Sequence, residues 1–285
     1  MTAMLSEPRT IRLFDLDLHA ESLEATARRC IELAQQARAS PARRPSLVFA
    51  LNPEKAVRSS RDPAVRDLLR KATILNPDGV GICVAARLLA RERLERVAGS
   101  DLMPRLCALA QQAGLSVYVY GASAASNAAA VAGMRRQWPA LRIVGASDGF
   151  QPAGSAGSAG QGDTVAHRIA ELRPDIVFVG LGSPRQESWM AEVGSTLPAG
   201  LMQGVGGTID VMAGVTRRAP PAWRRLGLEW LYRLLEDPRR WRRQLALVDF
   251  ATFVLRRRAV ELLERRPITA ALLAGNGVRH KRGKA

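Results

Sequence analysis

The chain has 285 residues, 47% of them hydrophobic, which suits one large domain with a sizeable core and excludes a disordered chain. Lys and Arg outnumber Asp and Glu by 42 to 26, and the net charge of +16 points to polyanionic partners: nucleic acid, anionic lipid or a phosphorylated substrate. Three scattered cysteines without a CxxC pair (Cys30, Cys83, Cys107) argue against a disulfide scaffold or zinc ribbon and fit reduced thiols in a cytosol; no apolar run reaches the roughly 18 residues of a membrane span, and MTAMLSEPRT is no signal peptide.

In chain order, residues 12–14 read as a short strand and 20–38 as a helix with Leu23, Ala27, Cys30 (or Ile31) and Ala34 on one side. Residues 46–51 (SLVFAL) are a buried strand ending in Asn52-Pro53. A helix over 62–71 opens on Asp-Pro. Residues 73–76 form a strand stopped by Pro77-Asp78-Gly79, and 81–91 and 101–113 read as helices. The strand 115–120 runs into Gly121-Ala122-Ser123 and an alanine-rich helix to about residue 137, followed by a strand over 141–145. Residues 152–162 are a low-complexity loop, 163–172 a helix, 175–181 an apolar strand leading through Gly182-Ser183-Pro184 into a helix, and 201–205 a last strand before Gly206-Gly207. Alternating strands and helices, with strands apolar on both faces, predict an α/β fold: a Rossmann-like, mostly parallel sheet covered by helices on both faces.

From Pro220 the strands stop. Trp223, Leu226, Trp230, Leu231 and Leu234 are spaced for one face of a helix, Pro238 interrupts it, a second helix is expected over 239–266, and 274–285 read as a basic end. Residues 217–285 hold 18 Lys and Arg against 6 Asp and Glu, whereas residues 1–216 hold 24 against 20. The expected organisation is an α/β catalytic domain (1–216) and a basic helical appendage (217–285).

Ligands of open α/β sheets sit beyond the carboxyl ends of the strands, so Asn52, Asp78, Gly121–Ser123, Gly182–Gln186 and Gly206–Asp210 are the candidate site positions. None of the glycine turns fits G-x-G-x-x-G or GxxxxGK[ST], which weighs against a nicotinamide oxidoreductase and an ordinary NTPase. Taken alone, Asp78 reads equally as a turn or capping residue and as a catalytic acid. Asp101 reads as a first-turn helix residue or a site residue. Asp15-Leu-Asp17 has the form of a DxD metal motif but sits after a poor strand, and His19, His167 and His280 show no ligand spacing; no metal site is expected.

LNPE (51–54), NPDGVGICVAARLL (76–89), ERVAGSDLMP (95–104), VFVGLGSPRQESWM (177–190), GVGGTIDVMAGVTRRAP (204–220) and RLGLEWLYRLLEDPRRWRRQ (225–244), in that order, resemble the WecG/TagA/CpsF family of bacterial glycosyltransferases. The resemblance implies inverting transfer of a sugar (N-acetylmannosamine, its uronic acid, glucose or similar) from a UDP-sugar to an undecaprenyl-diphosphate-linked saccharide, as in teichoic acid, capsule or exopolysaccharide synthesis. It implies Asp78 as general base, with Asn52, Arg96 and Gln186 in the same pocket. The turns at Gly121, Gly182 and Gly206–Gly207, with Asp210 on a ribose hydroxyl, fall on the UDP side, and Arg233, Arg240 and Arg243 on the diphosphate. No cofactor is then required beyond the UDP-sugar as substrate. Two features depart from the family: Ala50 stands where threonine is common, and the SAGSAG stretch at 155–160 reads as a tolerated surface insertion.

With tryptophans among its arginines, the C-terminal quarter reads as lying on an anionic inner-membrane surface, placing the protein peripherally on its cytoplasmic face. Self-association is left open. The competing classes are a basic nucleic-acid-binding protein, disfavoured because no RRM, KH or helix-turn-helix signature is present, and a UDP-sugar-binding protein without turnover.

Overall fold

The computed structural model describes residues 7–40, 42–150, 164–236 and 241–264. The expected loop at 152–162 and basic end at 274–285 lie outside them.

The first element is a hairpin rather than a single strand. β1 (Thr10–Leu13) pairs antiparallel with β2 (Leu16–His19) around Phe14 and Asp15, both at positive φ (54° and 59°). Two successive positive-φ residues make the tight turn whose twist matches paired strands. Asp15 and Asp17 face Arg257 and Arg12 respectively, at 3.4 and 3.0 Å.

The helix α1 (Leu23–Ala39), capped by Ser22, leads to β3 (Ser46–Leu51). α2 (Pro53–Arg61) follows at once, with Asn52 as cap and Pro53 in its first turn; the sequence reading had no helix here. Then come α3 (Pro63–Arg70), β4 (Ile74–Pro77) and α4 (Val80–Ala85). A π-helical turn (Ala86–Ala90) extends α4 and ends at Arg91 in the left-handed region. The remaining α/β elements are α5 (Gly99–Gln112), β5 (Ser116–Gly121), α6 (Ala124–Gln137), β6 (Arg142–Ser147), α7 (Thr164–Leu172), β7 (Ile176–Gly180), α8 (Arg185–Val193), β8 (Leu201–Gly204) and α9 (Thr208–Met212).

Strands β3 to β8 form one six-stranded sheet in the order β4-β3-β8-β7-β5-β6, every pair parallel. Side chains alternate across it. Leu47, Phe49 and Leu51 of β3 join Tyr118, Tyr120, Val177 and Val179 in one apolar layer. Val48 joins Val117, Val119, Ile176 and Phe178 in the layer on the other face. Burial on both faces explains why these strands read as continuous apolar runs. Gly121 ends β5 at φ 128°, where a Cβ would meet the Gly180 carbonyl oxygen at 2.3 Å; glycine is required there for close strand approach.

After α9 the chain is helical: α10 (Pro221–Arg225), α11 (Glu229–Glu236) and α12 (Trp241–Glu264). The single apolar-faced helix expected from Trp223 to Leu234 is two helices, because Gly227 at φ 72° ends the first. The chain folds back there, and Trp223 meets Tyr232 edge-on at 5.8 Å. α12 packs against α2 and α4. It buries Phe250 and Val254 in the same apolar layer as Phe14, and the Phe14 and Phe250 rings meet edge-on at 5.8 Å.

Candidate active site

A cleft of about 430 Å³ opens beyond the carboxyl ends of β3, β4, β7 and β8. The turns after these strands supply Asn52, Asp78, Gly182, Gly206 and Gly207, and Arg96 and Gln186 line the same space. Seven of the sequence-derived positions therefore converge although up to 155 residues separate them in the chain, because a parallel sheet puts all its strand-to-helix turns at one end. Gly121 and Asp210 are not among the lining residues. Gly121 lies at the close approach of β5 to β7, and Asp210 in the first turn of α9, where its carbonyl accepts from the N–H groups of Val215 and Thr216. Arg233 and Arg243 lie on α11 and α12, and Arg240 falls outside the described residues.

The main chain places Asp78. Its N–H donates to the Leu51 carbonyl at 2.8 Å, and the Val97 N–H donates to the Pro77 carbonyl at 2.8 Å. The carboxylate-bearing turn is thus tied to β3 on one side and to the segment carrying Arg96 on the other. Cys83 lies near both charges: burial pushes its thiol pKa up, the Arg96 guanidinium opposes this and the Asp78 carboxylate adds to it. Asn52 uses its Oδ1 as the α2 cap, accepting from the Lys55 N–H at 2.9 Å, which leaves the amide NH₂ as its remaining donor.

Below this floor runs a buried polar chain that the sequence reading missed. Lys55 Nζ donates to Glu187 Oε1 at 2.6 Å and to the Ala50 carbonyl at 2.7 Å. Gln186 Nε2 donates to the same Glu187 oxygen at 3.0 Å, and its Oε1 accepts from the Gly206 N–H at 3.0 Å. Gln186 thereby holds the Gly206 turn against α8, and both ends of its amide are engaged within the protein. The sequence signal was the charge pair Lys55 and Glu187 beside apolar strand ends, but 132 residues separate them.

The C-terminal quarter, expected at the site through Arg233, Arg240 and Arg243, closes the cleft with other residues. Arg224, Gly227, Glu229 and Trp230 of the basic quarter line the cleft, with Ala246 and Leu247 of α12. Arg96 Nη1 meets Glu229 Oε2 at 3.3 Å, and Arg96 Nη2 meets Asp101 Oδ2 at 2.9 Å. Asp101 also binds Arg218 through its other oxygen, 3.8 Å from Arg224 Nη1. Among the described residues, no group of three or more His, Cys, Asp or Glu side chains is placed to hold a metal ion.

A family model described as the glycosyl transferase WecG/TagA/CpsF family matches residues 11–263. The chain belongs to this family. Two similar proteins, from Bacillus spizizenii and Bacillus subtilis, are 34% and 33% identical to it over 211 residues, 74% of this chain and 79% of each relative. Each is named N-acetylglucosaminyldiphosphoundecaprenol N-acetyl-beta-D-mannosaminyltransferase. The cleft of this WecG/TagA/CpsF member brings the carboxylate of Asp78 and the guanidinium groups of Arg96 and Arg224 to one space. No helix among the described residues is long and apolar enough to cross a membrane.

Proposed function

We propose that the protein transfers a sugar from a UDP-sugar, with inversion, to a saccharide carried on undecaprenyl diphosphate. N-acetylmannosamine is the first donor sugar to try and N-acetylglucosamine the first acceptor sugar, because the relatives' names carry these groups. The observation that carries the reading is Asp78 beside Arg96 in a cleft floored by the Gly182 and Gly206–Gly207 turns. Asp78 takes the proton from the acceptor hydroxyl, whose oxygen attacks the anomeric carbon from the face opposite the UDP. The bond from that carbon to the diphosphate oxygen breaks, giving a β-linkage, UDP and a protonated Asp78. Arg96 and the cations of the C-terminal quarter, Arg233, Arg240 and Arg243 among them, stabilise the charge on the leaving diphosphate. Asp210 is assigned to the nucleoside side. In this reading the C-terminal helices rest on an anionic membrane, where the lipid-linked acceptor resides.

The test is transfer from UDP-sugars to a short-chain lipid-diphosphate-linked N-acetylglucosamine, with products identified by mass spectrometry. Removing a general base costs about 10² to 10⁴ in rate, so Asp78→Asn is expected to lose at least about a hundredfold in kcat while still binding UDP. Full activity in Asp78→Asn removes the assigned base, and no transfer by the unaltered protein from any UDP-sugar overturns the reading.

A further inference from the structure

Asp101 stands in the first turn of α5, just behind the cleft wall, and both of its carboxylate oxygens face arginines. Oδ2 accepts from Arg96 Nη2 at 2.9 Å. Oδ1 accepts from Arg218 Nη2, and Arg224 Nη1 lies 3.8 Å from the same oxygen, within ion-pair range but beyond a hydrogen bond. Glu229 brings a second carboxylate to this group, at Arg96 Nη1. Among the described residues three guanidinium groups gather on these two carboxylates, and the Asp78 carboxylate lines the same cleft as Arg96 and Arg224.

Two of the three arginines, Arg96 and Arg224, line the cleft; Arg218 and Asp101 do not. The Nε atoms of Arg218 and Arg224 are buried and, among the described residues, lack a hydrogen-bond partner. Like charges gathered with donors unsatisfied are unfavourable unless a further anion joins them. The guanidinium fork matches phosphate oxygens, and a diphosphate presents two adjacent phosphates to two such forks.

We propose that Asp101 is a positioning residue that holds Arg96 and Arg224 side by side on the cleft wall as a receptor for a diphosphate. The occupant rests on the glycosyl-transfer reading above, where the donor and the lipid-linked acceptor both carry a diphosphate ester. Arg224 touches that group directly; Asp101 acts through the two arginines. Asp101 precedes the C-terminal quarter by more than 100 residues, so it also makes the docking of α10 part of building the receptor.

The experiment uses the full chain and inorganic pyrophosphate as the probe, with affinity measured by calorimetry and folding checked by thermal unfolding. Charge-assisted hydrogen bonds support an expected loss on the order of tenfold in pyrophosphate affinity for Arg224→Ala, with partial recovery in Arg224→Lys. Asp101→Asn is expected to weaken binding in the same direction and Asp101→Glu to recover part of it, a rescue that a purely structural role would not give. In turnover assays, a raised KM for the UDP-sugar assigns the receptor to the donor, and a raised KM for the lipid-linked acceptor assigns it to the acceptor. Pyrophosphate affinities of folded Arg224→Ala and Asp101→Asn within about twofold of the unaltered protein overturn the proposal, as does an unaltered protein that binds no pyrophosphate. Should Asp101→Asn not fold, Arg224→Ala decides alone. Pyrophosphate binding lost in the variants of a protein that turns over no UDP-sugar upholds the receptor and sinks the transferase reading.

Discussion

The Lys55–Glu187 pair shows how one buried contact ties α2 to α8 at the cleft. Glu187 is 1% exposed and holds both Lys55 and Gln186. Glu187→Ala leaves the Lys55 ammonium buried without its counter-charge, and breaking such a pair from one side costs about 3–5 kcal/mol; urea unfolding is expected to show that loss. His19 gives a pH dependence. It is 5% exposed, and burial lowers its pKa below the ordinary 6.5, a shift strengthened by Arg29 and opposed by Glu21. The folded chain then binds fewer protons than the unfolded one as pH falls through 6.5. Stability is expected to be full above that pH and to decline below it, and His19→Leu is expected to flatten that part of the unfolding-midpoint profile. At this scale Asn52, Asp78 and Gln186 were legible as candidates because strand-end position and family motifs both mark them, and Arg96 through the family motif alone. Lys55, Glu187, Arg218 and Glu229 were not, and Asp101 read as either a first-turn helix residue or a site residue, since each matters through a partner remote in sequence.

Among elements, the apolar strands β3, β5 and β7 were plain, because burial on both faces leaves an uninterrupted run of Val, Leu, Ile, Phe and Tyr. The helix α2 was hidden although Asn52-Pro53-Glu54 is a regular start signal, because a short polar helix carries little apolar periodicity. The break at Gly227 was hidden for the opposite reason: the apolar spacing ran on through it, and only the fold-back of Trp223 onto Tyr232 separates α10 from α11. α12 is amphipathic in sequence, but its partner surface, made by Phe14 of the hairpin with α2 and α4, is a tertiary fact. Phe250→Ala opens a cavity between these elements and is expected to cost about 3–5 kcal/mol in chemical unfolding, against the small change expected for the 64%-exposed Leu255→Ala.

For the molecule as a whole, the burial of Phe250 and Val254 means that removing residues 217–285 would strip apolar cover from the core as well as the basic charge. Substitution on the exposed side is the cleaner test of the proposed membrane contact. Leu235, Leu245 and Val248 are more than half exposed on α11 and α12, near the cleft-lining Trp230 and Leu247. Replacing all three with Glu is expected to reduce co-sedimentation with anionic vesicles while leaving the thermal midpoint nearly unchanged. The unaltered protein is expected to release from those vesicles as salt rises, since the screening length shortens from about 10 Å at 0.1 M to about 3 Å at 1 M. Binding unaffected by the three substitutions would remove α11 and α12 from the proposed membrane face.

The amino-acid sequence by itself determined the parallel α/β sheet, the polar turns that could carry a site, the family resemblance and the concentration of charge in the last quarter. All of these reside in local pattern: apolar runs, turn residues, capping signals and composition. Only the tertiary structure decided which turns meet in one cleft, that Arg224, Glu229 and Trp230 complete its wall, and that Asp101 gathers three arginines behind it. The physical reason is range. Hydrophobic periodicity and backbone preference act within a few residues, whereas ion pairs and packing depend on distance in space, which the chain order of Asp101 and Arg224 does not reveal.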